Sequence, residues 1–454
     1  MIDKLKAMVS NLEADYFDIR YETKRVDRLI LSKSEIRECG SNLEDGFVLR
    51  VLKNGSLASV SFTKPEQAGL AIRKALENAL VMAPHRDQAQ RLAPAPKVVD
   101  TVKVVLNEDP REISLQEKIR VARAYSELLL RQPKIANVDI GYSDVFRNKF
   151  FVNSEGSEIN EELVTSQLGG SIISQEGSLT QTVRMTFGGS DGFHKVRNRE
   201  PEALKRAKIA ADLLSATPVT AGTYPMVLNP GMAGVFTHEA FGHFSEADIV
   251  KDLPDLRKKM QLGTKLGTDC LSIIDDATMP GQLGFYKYDE EGVAVRRVAL
   301  MTNGVLTGRL HDRFTAAEMN EPISGHSIAE DFRYAPIVRM GNIFIEPGAY
   351  SLEELLAAMD NGLYICDAMG GQTSGENFTF GANYGYLVKN GKITDMIRDI
   401  NLVGNLYTTL MNVEMIGNDF VLNESGGCGK GQTNIRSCLG GPHVYFKELT
   451  VGGR

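Results

Sequence analysis

The sequence predicts an α+β protein: N-terminal α/β units built on antiparallel hairpins, then a mainly antiparallel β-rich domain. Three observations carry this. Strand-like runs joined by Asn-Gly turns recur along the chain. Helical runs sit mostly at the edges of the first two units. One helix in the second half bears two histidines and a glutamate, a candidate metal motif. Strands grouped together, with no steady β-α-β alternation, point to α+β rather than α/β.

Residues 1–86 read as helix, strands, helix. The strand candidates are YFDIRYE and DRLILSKSEI, followed by DGFVLRVLKNGSLASVSFT. Asn54-Gly55 inside that last run suits a tight hairpin, since both residues tolerate positive φ. Thr63 and Pro65 open a helix through ALENALVMA. The proline-rich segment from Pro84 to about Asp109 reads as a linker or surface excursion. A second unit covers 111–217. Ser114 and Glu117 form a capping box. The strands ANVDIGYSDV, KFFVNSEG, SQLGGSIISQ and LTQTVRMTFGG follow, and a helix from Pro201 to Ser215 closes the unit. Helix, hairpins, helix is thus written twice, the pattern an internal duplication would leave. Residues 218–454 form the third stretch, with hairpin turns at Asn303-Gly304 and Asn390-Gly391. Its helices fall near 231–249, 313–319 and 351–361.

Length and composition agree with this division. At about 150 residues per domain, 454 residues make two to three domains. With 43% hydrophobic and 24% charged residues, the chain is neither disordered nor collagen-like. A core of this size needs no metal to fold, so a metal here would serve chemistry. The net charge is −7, and the densest basic run is only Arg257-Lys258-Lys259. Binding to nucleic acid or to an anionic membrane is therefore disfavoured. Five cysteines without a C-x-x-C pair suit a reducing cytoplasm. The N-terminus lacks an apolar signal core. The longest charge-free stretch, Leu213–Thr237, holds three prolines and does not read as a membrane span.

The run VFTHEAFGHFSEAD contains His238, Glu239 and His243, spaced H-E-x-x-x-H. Two imidazoles beside a carboxylate resemble the H-E-x-x-H set of zinc peptidases. The extra residue matters. Positions five apart on an ideal helix point about 140° apart and cannot share one ion. A single π-type turn would realign them, and Gly242 is a plausible place for it. Asn229 and Pro230 start the helix abruptly after a strand, as N-cap and first helical residue. A third ligand remains open among Glu246, Asp248, His311, His326, His443 and the cysteines. Cys428 stands out in ESGGCGKGQ, because a thiolate with two histidines leaves a fourth position for water. That loop is no Walker A motif: Glu424 stands where glycine is required, and Gly431 follows Lys430. An intact Glu239 argues against a purely structural metal. The alternatives are a zinc hydrolase of a non-peptide amide and a non-catalytic scaffold with a relic motif.

Longer runs carry a resemblance. LNPGMAGVFTHEAFGHFSEAD, DEEGVAVRRVALMTNGVLTGRLHDR, YAPIVRMGNIFIEPG, GGQTSGENFTFGANYGYLVKNGKI, MIGNDF, CGKGQ and the terminal LTVGG occur in this order over 224–454. They resemble the TldD/PmbA family, once called candidate modulators of DNA gyrase, and within it the TldD branch, which has the H-E-x-x-x-H motif. The resemblance implies a zinc metallopeptidase acting on unfolded or short peptides. It implies His238, His243 and Cys428 as zinc ligands and Glu239 as general base for the attacking water. It further implies a dimer, of like chains or with a PmbA (TldE) type paralogue, that encloses the site. Ser245 and Ala247 depart from the family's leucine and glycine, and the loop after Asp248 looks individual. These departures bear on substrate preference. Arg333, Arg339 and Asn342 could fix a peptide backbone or carboxylate, or serve structural ion pairing. His326 could donate to an oxyanion, or sit in a surface loop. Gly370 to Gly385 could offer a strand edge to substrate.

Overall fold

The computed structural model describes residues 1–86, 88–424 and 426–452. Ser425 of the glycine-rich loop and Gly453 of LTVGG lie outside the described residues. The class is α+β, as the hairpin pattern predicts.

The first half contributes α1 (Ile2–Met8), β1 (Tyr16–Ser32), β2 (Glu35–Lys53), β3 (Ser56–Phe62) and α2 (Ala68–Met82). Then come β4 (Val99–Val102), α3 (Leu115–Leu130), β5 (Ile135–Asn153), β6 (Glu158–Glu176), β7 (Leu179–Gly189) and α4 (Glu200–Asp212). Both units build one seven-stranded sheet in the order β3-β2-β1-β5-β6, with β4 and β7 both paired to β6. The units meet where β1 runs antiparallel to β5, from Asp18↔Asn153 to Ser32↔Asp139. Asn54 and Gly55 have φ of 50° and 71° and make the expected tight hairpin. Ser114 caps α3 by accepting the N–H of Glu117 at 3.2 Å.

Two expectations change. The runs read as separate strands, YFDIRYE and DRLILSKSEI, share a single strand β1 as far as Ser32, and the second run ends in β2 at Glu35 and Ile36. The chain turns only at Lys33 and Ser34, where φ is 49° and 68°. The four residues between the runs keep the chain extended and stay paired to β2 on one side and β5 on the other. The expected linker contains β4, which pairs in parallel with Glu158–Glu161 of β6. Its two valines flank an edge that β7 leaves free, since β7 covers β6 only from Ser166 onward.

Strand alternation gives this sheet two unlike faces. Ile19, Leu49, Val138, Ile140 and Leu168 are buried in apolar clusters with residues of the helices. The other face carries Asp18, Arg20 and Glu22 of β1, Arg50 of β2, Arg147 and Lys149 of β5, and Glu161 of β6, all buried. The acidic loop Asp289-Glu290-Glu291 of the second half docks on this charged face. Arg20 and Arg147 bind Glu290 at 2.8 and 2.9 Å. Arg50 bridges Asp18 at 2.6 Å and Glu291 at 3.0 Å. Lys149 donates to the Tyr288 carbonyl at 2.8 Å. Burial, together with Glu291, pushes the Asp289 carboxyl up to about 8.

Among the described residues, the second half holds a two-stranded sheet, Ser327–Ile328 with Ile337–Val338, and two larger ones. In one, Gly362–Ser374 pairs with both Gly222–Leu228 and Asn377–Lys389. Val444–Gly452 and Ile400–Asn405 complete the circuit, so the pairing closes on itself. In the other, Ile273–Asp275, Asn342–Ile345 and Cys438–Gly441 form the centre. Helix α5 (Pro230–Phe236) touches both. Phe236 meets Phe378, Phe380 and Phe446 edge-on at 5.2–6.4 Å. Gly234 faces the opposite sheet, where a Cβ would lie 2.7 Å from the Gly440 backbone. Among the described residues, no helix is long and apolar enough to cross a membrane.

Removing Glu290 would leave Arg20 and Arg147 buried without their shared acceptor. Glu290→Ala is expected to cost about 3–5 kcal/mol of stability, read by urea unfolding. A loss below about 1 kcal/mol would show that the docked loop does not hold the halves together.

Candidate metal centre

Asn229 accepts the N–H of Met232 at 2.9 Å and starts α5, with Pro230 in its first turn. The helix does not run evenly to 249. After Phe236 it widens into a π turn over Thr237–Phe241, then tightens into a 3₁₀ turn over Gly242–Ser245. The wide turn solves the spacing problem of the sequence. It brings the His238 and His243 rings to 5.1 Å between centroids, nearly perpendicular. The widening lies just before Gly242. A Cβ at that position would lie 2.2 Å from the Met340 sulfur, so a side chain there would have to displace Met340.

Cys428 arrives from a distant hairpin. Its backbone exchanges both hydrogen bonds with Ile435, at 3.0 and 3.1 Å. Its Sγ lies 3.5 Å from His243 Nε2. One donor atom from each of His238, His243 and Cys428 falls within 4.8 Å of the others. His238 is buried, and its Nδ1 has no hydrogen-bond partner among the described residues. Two imidazoles and one thiol, converging with unspent donor capacity, fit a zinc-type ion.

The other ligand candidates are engaged elsewhere. Glu246 is fully buried and bonds His243 Nδ1 at 3.1 Å, which orients that ring from behind. Asp248 holds Lys430 at 2.8 and 2.9 Å. His311 pairs with Glu321, His326 with Asp275 and His443 with Asp419.

Glu239 stays outside the donor group and lines a cleft of about 750 Å³. Its Oε2 is 3.7 Å from His243 Nε2. Burial raises its carboxyl above the ordinary value, against the opposing pull of His238 and His243. Phe244, Ile249, Leu253 and Leu256 give the cleft an apolar wall, while Gln372, Thr373 and Gly375 belong to the opposing strand and its turn. Thr373 Oγ1 donates to the Glu239 carbonyl at 2.9 Å.

The four residues considered for substrate contact do not line this cleft. Arg333 is tied to Asp331 at 2.5 Å and to Glu44 at 3.0 Å. Arg339 is fully buried, with Nε 3.5 Å from Glu246. Asn342 is buried and donates to the Asp276 carbonyl at 2.7 Å. His326 is not a surface residue; it is buried, with Nε2 3.0 Å from Asp275. In the structure each of the four is held by other groups of the protein. Sequence reasoning missed Lys430, which reaches Asp248, Glu246 at 3.1 Å and the Val338 carbonyl at 2.7 Å. Its place two residues after Cys428 was the available signal.

Three metal-type donors beside a cleft carboxylate are the kind of arrangement that metallohydrolases use. The chain belongs to the PmbA/TldD metallopeptidase family. Its models match in three segments: domain 1 over 17–83, the central domain over 108–216 and the C-terminal domain over 221–453. A metalloprotease of Synechocystis is 34% identical over 97% of this chain and 95% of its own length. The zinc metalloprotease TldD homolog of Saccharolobus solfataricus is 31% identical over 97% of each chain. The fold is shared with a Thermotoga maritima protein described as a candidate modulator of a DNA gyrase. That match has TM-score 0.81 at 22% identity, over 99% of both chains. TldE of Thermococcus kodakarensis matches with TM-score 0.76 at 18% identity, over 100% of this chain and 99% of its own.

The metal-free centre stores a proton. Burial disfavours charge on His243, but hydrogen bonds to Cys428 and Glu246 outweigh it and lift its pKa to about 10. Burial likewise opposes the Cys428 thiolate, yet His238 and His243 bring its pKa down to about 5. Between those values the pair holds one proton, and an ion that binds imidazole must release it. Zinc affinity is therefore expected to rise with pH, about tenfold per unit, between about pH 6 and 9. Calorimetry in buffers of different ionisation enthalpy should count one proton per zinc. A count of zero would refute the stored proton.

Proposed function

We propose that this chain is a zinc-dependent metallopeptidase that hydrolyses unfolded or short peptides. One observation carries the reading: Glu239 lies beside the His238, His243 and Cys428 donors and also faces the cleft. His238, His243 and Cys428 would hold the zinc. When bound, the ion supplies Lewis-acid polarisation of the scissile carbonyl and acidifies water. Glu239 accepts the proton of the attacking water and returns it to the leaving amine. Its raised carboxyl pKa suits that exchange. Glu246 keeps the His243 ring in place during the exchange.

The cleft suits an extended chain. Residues 363–365 of the strand Gly362–Ser374 pair on both sides. Beyond them, the strand pairs as a ladder only with Asn377–Lys389 among the described residues. Its outer edge near Gln372 and Thr373 can pair with a peptide backbone as an added strand. Folded proteins do not offer such a strand, which supports the preference for unfolded peptide. Opposite, Ile249, Leu253 and Leu256 come from the individual loop after Asp248. Leu253 is 51% exposed, an unsatisfied apolar surface within reach of a substrate side chain.

Glu239→Gln is expected to keep one zinc per chain and to lose about 10²–10⁴ of the hydrolysis rate. Zinc is counted by mass spectrometry and cleavage followed on a casein-derived peptide. Normal cleavage by the variant would remove Glu239 from the base role. Cys428→Ser should weaken zinc binding, and unchanged stoichiometry and affinity would eliminate the thiolate as a ligand. A second expectation concerns selectivity. Wild type should favour substrates with a large apolar side chain beside the cut, and Leu256→Asn should reduce that preference by about 10-fold with zinc content unchanged. Equal preference in both proteins would show that this wall does not meet the substrate.

A further inference from the structure

Behind the hairpin that carries Cys428, a cavity of about 130 Å³ lies between the N-terminal sheet and the second half. Lys24, Arg147 and Lys149 line its sheet side, and Glu290, Glu330 and Arg436 line the other. Their charges do not balance. Arg20, Arg147 and Lys149 are matched by Glu22, Glu161 and Glu290. Glu330 accepts the backbone N–H groups of Thr433 and Asn434 at 2.8 and 3.1 Å. Arg436 is left over. Among the described residues it forms no ion pair, and neither does Lys24. Its Nη2 donates to Ser190 Oγ at 2.6 Å, and its Nε is buried without a partner among the described residues. Burial, and then Arg147, pull its pKa down to about 10. Arg436 is half-buried, and a cation partly withdrawn from water gains from a counter-charge, while a guanidinium fork matches two oxygens of one anion.

We propose that this cavity binds a small oxyanion, a carboxylate or a phosphate group, on Arg436. The surplus positive charge attracts it, and the fork of Arg436 orients it. Gln167 and Thr165 on the sheet side add hydrogen-bonding capacity. The site communicates with the candidate metal centre through one element. Cys428 pairs with Ile435, and Arg436 is the next residue. An anion held by Arg436 therefore fixes the strand of the hairpin that positions Cys428. The proposal stands on the cavity alone and does not depend on the peptidase reading.

The test uses the full-length, zinc-loaded protein. Thermal unfolding is followed against sodium phosphate and, separately, sodium acetate, at constant ionic strength set with sodium chloride. At least one of the two anions is expected to raise the midpoint of the wild type at millimolar concentration. The anion that acts identifies the class of ligand. Arg436→Gln should abolish the shift. Arg436→Lys, which keeps the charge but loses the fork, should need about tenfold more anion. If Arg436→Gln does not fold, the wild type and Arg436→Lys still decide the matter. An anion bound at the zinc would stabilise wild type and variants alike. That result, or no response of the wild type to either anion, would overturn the proposal.

Discussion

A single buried carboxylate organises the candidate site. Glu246 has no solvent exposure, so its charge must be met inside the protein. Burial opposes its ionisation, yet His243, Lys430 and Arg339 together hold its pKa below the ordinary value. Those three partners come from three places: the same turn, the hairpin of Cys428, and the link between Ile337–Val338 and Asn342–Ile345. Satisfying Glu246 therefore pulls all three together. His243 receives a fixed ring orientation from it. Lys430 anchors the loop in which Cys428 lies two residues earlier. Arg339 stays fully buried, and its charge also favours the ionised forms of Cys428 and Glu239. A substitution that leaves the donor atoms untouched but removes Glu246 would thus disturb each of them.

Charge also explains why the two halves of the chain form one molecule. The sheet of the first half has an apolar face and a charged one, by simple alternation of Asp18, Arg20 and Glu22 with their neighbours. A charged face of this kind cannot be buried by an apolar surface. It is buried by Asp289-Glu290-Glu291, whose carboxylates meet Arg20, Arg50 and Arg147. Asp289 takes a different part. It accepts the backbone N–H groups of Glu291 and Val293 at 2.9 Å and that of Ser327 at 3.1 Å, which shapes the loop itself. His326, next to Ser327, then pairs with Asp275 of a sheet that α5 touches, at 3.0 Å. The N-terminal half is thus a support for the site rather than a contributor of donor groups to it.

Much of this was legible in local sequence signals. Asn54-Gly55, Asn303-Gly304 and Asn390-Gly391 all adopt positive φ, because few other pairs can. The cap at Asn229 and the odd spacing of His238 and His243 together pointed to a helix that had to widen. Strand extent was not legible. The chain stays extended through β1 because two long neighbours flank it, and neither is visible in its own sequence. Nor could a parallel partner for Val99–Val102 be read from a proline-rich run. The roles of Arg339, Asn342 and His326 were hidden for a similar reason. Polar residues in strongly patterned segments suit substrate contact and buried charge balance equally well, and only position decides. Arg333 meets Glu44, 289 positions away in sequence.

Exposure within the site follows a gradient that bears on its chemistry. His238 is buried, the His243 side chain is 18% exposed and that of Glu239 is 22% exposed. The donors therefore sit behind, and the carboxylate faces the cleft. The charge count follows the same division. With every acid ionised, Glu239, Glu246, Asp248 and Cys428 exceed Arg339, Lys430 and protonated His243 by one negative charge. A divalent ion in place of the His243 proton brings this group to neutrality. A monovalent ion would leave it negative, and a trivalent one would make it positive. In a partly buried site, where charge is weakly screened, that balance favours a divalent metal independently of the ligand chemistry. The same balance favours Glu239 as the group that exchanges protons. It is the acid in the cluster that reaches the cleft, and no arginine or lysine pairs with it among the described residues.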